Sequence, residues 1–126
     1  MDKISNKDKV ALVTGSSAGI GKGIALALAE EGFNVILNGR RPESNIQELQ
    51  KSISQLGVKH FPAYIQGSID DEKVRKKMAN HITESYGKLD LLVNNAGVAP
   101  AVRKDMLEVT EEDLSRLMQI NCFAPY

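Results

Sequence analysis

The clearest chemistry in this chain sits in the segment Thr14-Gly15-Ser16-Ser17-Ala18-Gly19-Ile20-Gly21. It follows the short apolar run Lys9-Val10-Ala11-Leu12-Val13 and opens an amphipathic stretch that begins at Gly19. A strand that ends in a glycine turn and feeds a helix aims that helix's unpaired N–H groups, and the positive end of its dipole, at whatever lies above the turn. Such a place favours a phosphate. Gly15 permits the tight turn, Gly19 lets the backbone approach the ligand, and Gly21 lets the helix lie close to the strands. The spacing also separates classes of phosphate binder. A Walker A loop ending at Gly21-Lys22 needs glycine at position 16 and Ser or Thr at position 23, where this chain has Ser16 and Gly23. The fingerprint G-x-G-x-x-G is absent as well; the pattern is G-x-x-x-G-x-G.

The elements that must hold this turn are legible in the apolar periodicity. Lys9 to Thr14 reads as a strand buried on both faces. From Gly19 a helix carries Ile20, Ile24 and Leu28 at fourth-residue spacing and stops near Gly32. Asn34 to Asn38 forms a second strand. Ile46, Leu49, Ile53 and Leu56 mark a second helix closed by Gly57. Lys59 to Ile65 is a weaker third strand interrupted by Pro62, and Val74, Met78 and Ile82 mark a third helix ending near Gly87. Leu89 to Val93 is a fourth strand running into Asn94-Asn95-Ala96-Gly97. A last helix starts at Thr110, where Thr110-Glu111-Glu112-Asp113 is a capping box with Asp in place of Glu. The β-α-β-α order implies right-handed crossovers, a parallel sheet and helices on both faces. This is an α/β, Rossmann-type arrangement of about four strands, the N-terminal portion of a doubly wound domain that has about six. Residues 1–126 are therefore expected to be a dinucleotide-binding portion, truncated before the rest of the domain.

Composition narrows the partners. Of 126 residues, 16 are Lys or Arg and 16 are Asp or Glu, 42% are hydrophobic and 25% are charged. That fits one ordinary globular domain and argues against disorder. Zero formal net charge removes the usual electrostatic reason to expect nucleic acid or an anionic membrane. The longest apolar run, Ile24 to Ala29, is far too short to span a bilayer. Met1 to Lys9 is polar and carries no apolar signal core, and the single Cys122 suits a reducing compartment, so a cytoplasmic location is expected. His60 and His81 stand alone without a metal-ligand pattern. Lys73, Arg75, Lys76 and Lys77, next to Asp70, Asp71 and Glu72, read as a solvated helix face.

The turn at Thr14–Gly21, the later Asn94-Asn95-Ala96-Gly97 and the position of Asn121 together resemble the short-chain dehydrogenase/reductase family, over essentially the whole chain. Its extended, epimerase-type relatives would need glycine at position 18, where Ala18 stands, so the resemblance is to the compact oxidoreductases. It implies a nicotinamide cofactor held by Gly15, Ser16, Ser17, Gly19, Ile20 and Gly21. It further implies an adenine contact at Ser68 and Ile69, and a ribose region lined by Asn95, Ala96 and Gly97, with Asn94 in a structural tie. Ser68 reads equally well as a helix N-cap. An NAD-selective site wants a carboxylate after the second strand, but the chain there reads Leu37-Asn38-Gly39-Arg40-Arg41. An arginine pairs with a 2′-phosphate where a carboxylate would repel it. NADP(H) is therefore favoured over NAD(H), with Arg40 as the main phosphate ligand and Arg41 assisting. Asn121 falls on the apolar stripe of Leu114, Leu117 and Met118. The resemblance gives it a catalytic place, holding a water that relays protons to the active-site lysine; a core asparagine satisfied by backbone is the other reading.

The family transfers hydride between nicotinamide and a carbonyl or alcohol carbon, using a Y-x-x-x-K pair. Here Tyr64 is followed four positions on by Ser68 and Tyr86 by Asp90, and Tyr126 is the last residue. The expectation is an oxidoreductase resembling the 3-oxoacyl-[acyl-carrier-protein] reductases, acting on a small-molecule carbonyl or alcohol and forming a homo-oligomer when full length, of which this portion has no turnover by itself. The alternative is a non-catalytic nucleotide-binding fragment or partner-binding module.

Overall fold

A computed structural model describes residues 6–97, 110–112 and 115. Val10–Val13 (β1) is buried at all four positions, as a central parallel strand must be when helices cover both its faces. It leads through the glycine turn to Gly19–Glu30 (α1). Asn34–Gly39 (β2) follows, then a single 3₁₀ turn over Glu43–Asn45 and Gln47–Ser54 (α2). Tyr64–Gln66 (β3), Glu72–Ser85 (α3) and Leu91–Val93 (β4) complete the order. The four strands form one parallel sheet in the order β3-β2-β1-β4, with Val13 beside Leu37 on one side and Val93 on the other. Residues 111, 112 and 115 are helical after a non-helical Thr110, in keeping with a helix that starts there. Asn121, with Leu114, Leu117 and Met118, lies outside the described residues. No helix among those described is long and apolar enough to cross a membrane.

Side-chain alternation divides the core. Ala11, Val13, Val35 and Leu37 pack with α1 and α2 residues on one face, while Val10, Leu12, Ile36 and Ile65 pack with Ile69 and Met78 on the other. The α1 stripe differs from the expectation by one position. Ile20 is 79% exposed, and the row pressed on the sheet is Gly21, Ala25 and Ala29. Both rows repeat every fourth residue; the small one wins because it lets the helix axis come nearer the strands, while Ile24 and Leu28 pack at its flank.

The third strand is also shorter than the apolar run suggested. Pairing to β2 starts with the bond from Leu37 N–H to Ala63 O (2.8 Å), because Pro62 has no N–H to give. The preceding segment is held by side chains instead. His60 N–H donates to Asn34 Oδ1 (2.9 Å), and Gln50 Nε2 donates to the Pro62 carbonyl (3.0 Å).

Candidate functional site

The carboxyl ends of all four strands open on one cavity of about 490 Å³. The glycine turn contributes Gly15, Ser17 and Ala18, the end of β2 contributes Asn38 to Arg41, and Gly67 to Ile69 follow β3. Ala96 and Gly97 close the cavity beyond β4. Ligands of open α/β sheets bind at such strand ends.

The turn is shaped for a close approach. Gly15 has φ +63°, and a Cβ there would stand 2.9 Å from Ala96 Cα. A Cβ on Gly21 would run into the Gly15 carbonyl and the Asn95 amide, so α1 enters the sheet too tightly for any side chain at that position. At the N-terminus of α1, Ala18 has an extended backbone and supplies no side-chain cap. The first helical bond is Lys22 N–H to Ala18 O (3.3 Å), which leaves the N–H groups of Gly19, Ile20 and Gly21 to an outside acceptor. Ser17 lines the cavity, but Ser16 does not reach it. The Ser16 side chain is buried, donating to Val13 O (2.8 Å) and accepting from Asn38 N–H (3.0 Å).

Two residues that the sequence did not single out hold this turn. Asn38 is 1% exposed and its amide satisfies three backbone groups. Oδ1 accepts from Gly15 N–H (3.1 Å), while Nδ2 donates to Ile65 O (2.9 Å) and Gly67 O (3.1 Å). Thr14 works between β1 and β4. Its hydroxyl donates to Val93 O (3.3 Å) and accepts from Asn95 N–H (3.1 Å) and Ala96 N–H (3.0 Å). A polar residue at the C-terminal end of each apolar run was the available signal, since a buried polar group needs partners.

The tie expected of Asn94 belongs to Asn95. Nδ2 of Asn95 donates to Thr14 O (3.2 Å) and Gly15 O (3.1 Å), whereas Asn94 lines a separate apolar hollow of about 190 Å³ with Leu12, Met78, Ile82 and Leu92. The capping alternative for Ser68 gives way as well. Asp71 is the N-cap of α3, its carboxylate accepting from Lys73 N–H (2.9 Å), and Ser68 and Ile69 face the cavity.

Arg40 and Arg41 both line the cavity, are exposed, and form no ion pair among the described residues. Their backbone is held from β3. Tyr64 Oη donates to Arg41 O (2.6 Å) and Gln66 Nε2 to Arg40 O (3.4 Å). Burial raises the Tyr64 pKa above the ordinary tyrosine value, with nearby Arg41 acting in the opposite direction. The hydroxyl therefore stays protonated, a donor, at neutral pH. His60 and His81 lie at the far end of α3 from this cavity, edge-on to the Tyr86 ring at 5.4 and 5.8 Å between centroids.

Comparison with known proteins agrees with this geometry. A family model described as short chain dehydrogenase matches residues 9–126. A diacetyl reductase [(S)-acetoin forming] of Staphylococcus epidermidis is 36% identical over 115 residues, covering 91% of this chain and 43% of that protein. A 3-oxoacyl-[acyl-carrier-protein] reductase of Staphylococcus aureus is 43% identical over 90 residues, 71% of this chain and 36% of that one. The crystal structure of a 3-oxoacyl-[acyl-carrier protein] reductase from Brucella melitensis in complex with NAD superposes with a TM-score of 0.82 at 32% identity, covering 92% of this chain and 44% of that chain. The chain thus spans less than half the length of these relatives.

Proposed function

The chain belongs to the short-chain dehydrogenase family, and from that premise we propose that it forms the cofactor-binding portion of an NADP(H)-dependent oxidoreductase. The observation that carries the reading is the joining of the glycine turn and the unpaired arginines in one cavity at the strand ends. The residues present fit a dinucleotide carrying a 2′-phosphate: an uncapped helix N-terminus at one side, and at another two guanidinium groups that form no ion pair among the described residues. When bound, the nicotinamide supplies the hydride for carbonyl reduction or removes it from an alcohol. The first-turn amides at Gly19, Ile20 and Gly21 hold the pyrophosphate. Arg40, assisted by Arg41, holds the 2′-phosphate by charge-assisted hydrogen bonds. Ser68 and the backbone of Ile69 meet the adenine, and Ala96 and Gly97 border the ribose beside the nicotinamide. The Nδ2 donors of Asn95 are both engaged, leaving Oδ1 as its acceptor for a ribose hydroxyl. Ser16, its hydroxyl turned inward, shapes the turn from beneath.

The three reductases named above act, by their names, on oxo compounds, which favours a carbonyl substrate for the whole enzyme, including a 3-oxoacyl thioester. Asn121 keeps its proposed place in a proton relay. Because no Y-x-x-x-K pair occurs in these 126 residues, we assign them cofactor binding without turnover. The test is calorimetric titration of the chain, and of Arg40→Asp, with NADPH and NADH. A bond to a charged group is worth about 1.5–3 kcal/mol, so NADPH should bind the chain about 10- to 100-fold more tightly than NADH, a preference abolished or reversed by Arg40→Asp. Equal affinities in the unaltered chain, or an unchanged preference in the variant, would refute the assignment.

A further inference from the structure

The arginine segment is not a free loop. Three elements converge on its first residue, Gly39. A Cβ at Gly39 would collide with the Ser17 hydroxyl from the glycine turn and stand 3.0 Å from Tyr64 Oη from β3. Only a position without a side chain lets those two hydroxyl-bearing residues close on the end of β2. Immediately after this junction the Arg41 carbonyl accepts from Tyr64 Oη at 2.6 Å, and the Arg40 carbonyl accepts from Gln66 Nε2 at 3.4 Å. Both bonds go to the backbone, so neither uses a guanidinium donor. Tyr64 is partly buried, packed against the core cluster beneath α1 and α2.

We propose that Tyr64 is a specificity-determining positioning residue: by fixing the Arg41 carbonyl it orders the Arg40–Arg41 backbone before ligand arrives, and so sets the discrimination between cofactors with and without a 2′-phosphate. The inference rests on the proposed role of Arg40 and Arg41. Two long arginine side chains on an untethered segment would lose backbone as well as rotamer freedom on gripping a phosphate, and that ordering subtracts from affinity. With the backbone already anchored, only side-chain freedom is lost. A cofactor lacking the phosphate never engages the guanidinium groups and gains nothing from the anchor. A tyrosine hydroxyl is protonated at neutral pH, and burial raises the Tyr64 pKa further, so the tether holds there.

The test uses Tyr64→Phe, which keeps the ring against the core cluster and deletes only the hydroxyl. Dissociation constants are measured for NADPH, NADH, 2′,5′-ADP and ADP, alongside thermal melting, for the unaltered chain, Tyr64→Phe and Gln66→Leu. One net hydrogen bond corresponds to about two- to tenfold, so NADPH and 2′,5′-ADP should weaken by that factor in Tyr64→Phe. NADH and ADP should stay within about twofold, because neither meets the arginines. Gln66→Leu, losing the longer bond, should show a smaller change in the same direction. Equal weakening of all four ligands would make Tyr64 a merely structural residue and overturn the proposal, as would an unchanged NADPH-to-NADH ratio. If the unaltered chain itself shows no preference for the 2′-phosphorylated ligands, the failure lies in the arginine assignment, and the proposal falls with it.

Discussion

Replacing Asn38 by alanine removes a side chain that is 1% exposed and strands three backbone groups at once. Gly15 N–H loses its acceptor, and the carbonyls of Ile65 and Gly67 lose a donor. Each net hydrogen bond is worth about 1 kcal/mol, with a further cost where the abandoned group stays dry. The expected loss is about 3 kcal/mol, a large share of the 5–15 kcal/mol that holds a typical domain together. Urea unfolding of the chain would read this as a fall in the midpoint at unchanged slope. Asn38→Asp is the sharper probe. It keeps the shape and the acceptor for Gly15, but sets a carboxylate oxygen against two carbonyls. Only the protonated acid can donate there, so folding raises the pKa of that aspartate above its unfolded value near about 3.9. A raised acid pKa makes stability greatest below the unfolded value and progressively lost as pH rises through the folded value. Asn38→Asp should therefore be closest to the unaltered chain in mild acid and weakest at neutral pH. A loss below about 0.5 kcal/mol for Asn38→Ala, or a pH-independent deficit for Asn38→Asp, would refute the view that this amide buckles the turn to β3.

Two other expectations follow from neighbouring geometry. Gly21→Ala should destabilise the chain by about 1–3 kcal/mol through overpacking and weaken NADPH, because the added methyl meets the Gly15 carbonyl and the Asn95 amide; Gly23→Ala, whose Cβ meets nothing within 4 Å, should stabilise by about 0.5–1 kcal/mol as a helix-interior replacement, both read by thermal melting. At the opposite end of the sheet, the bond from Lys88 and then the Val10 N–H lower the Asp90 pKa, with Asp90 Oδ2 at 2.9 Å from Lys88 Nζ and 2.8 Å from Val10 N. A depressed carboxylate contributes stability above its unfolded pKa and loses it as pH falls through the folded one, so Asp90→Asn should flatten the acid limb of the stability profile below about pH 4 and leave its shape above that unchanged.

What the sequence made legible is the part written in local chemistry. The strand–turn–helix around Gly15–Gly21 needs glycine at sterically demanding points, and those points are visible one residue at a time. The order of strands and helices followed from apolar period and from the rule that parallel crossovers are right-handed. The misreadings have a common physical source in long-range contact. Ile20, Ile24 and Leu28 mark the helix by their spacing, yet the sheet takes Gly21, Ala25 and Ala29, a choice that depends on how near the helix can come. The Ser16 hydroxyl turns toward Val13 and Asn38, an orientation set by a strand more than twenty residues away along the chain. Asn38 ended a strand unremarked because its partners lie 23 to 29 residues away along the chain. Asn94 and Asn95 are adjacent amides, and which one faces the turn is decided by the pleat at the end of β4.

The most direct measurement is backbone amide chemical-shift mapping of the isotopically labelled chain during titration with NADPH. The largest changes should fall on Gly15 to Gly21, Gly39 to Arg41, Gly67 to Ile69 and Ala96 to Gly97, the glycine turn and the cavity at the strand ends. Repeating it with NADH should leave Arg40 and Arg41 nearly unmoved while the glycine turn still responds. Shifts gathered instead on the lysine-bearing face of α3, around Lys73, Lys76 and Lys77, would contradict the account, as would a saturating response that spares the glycine turn.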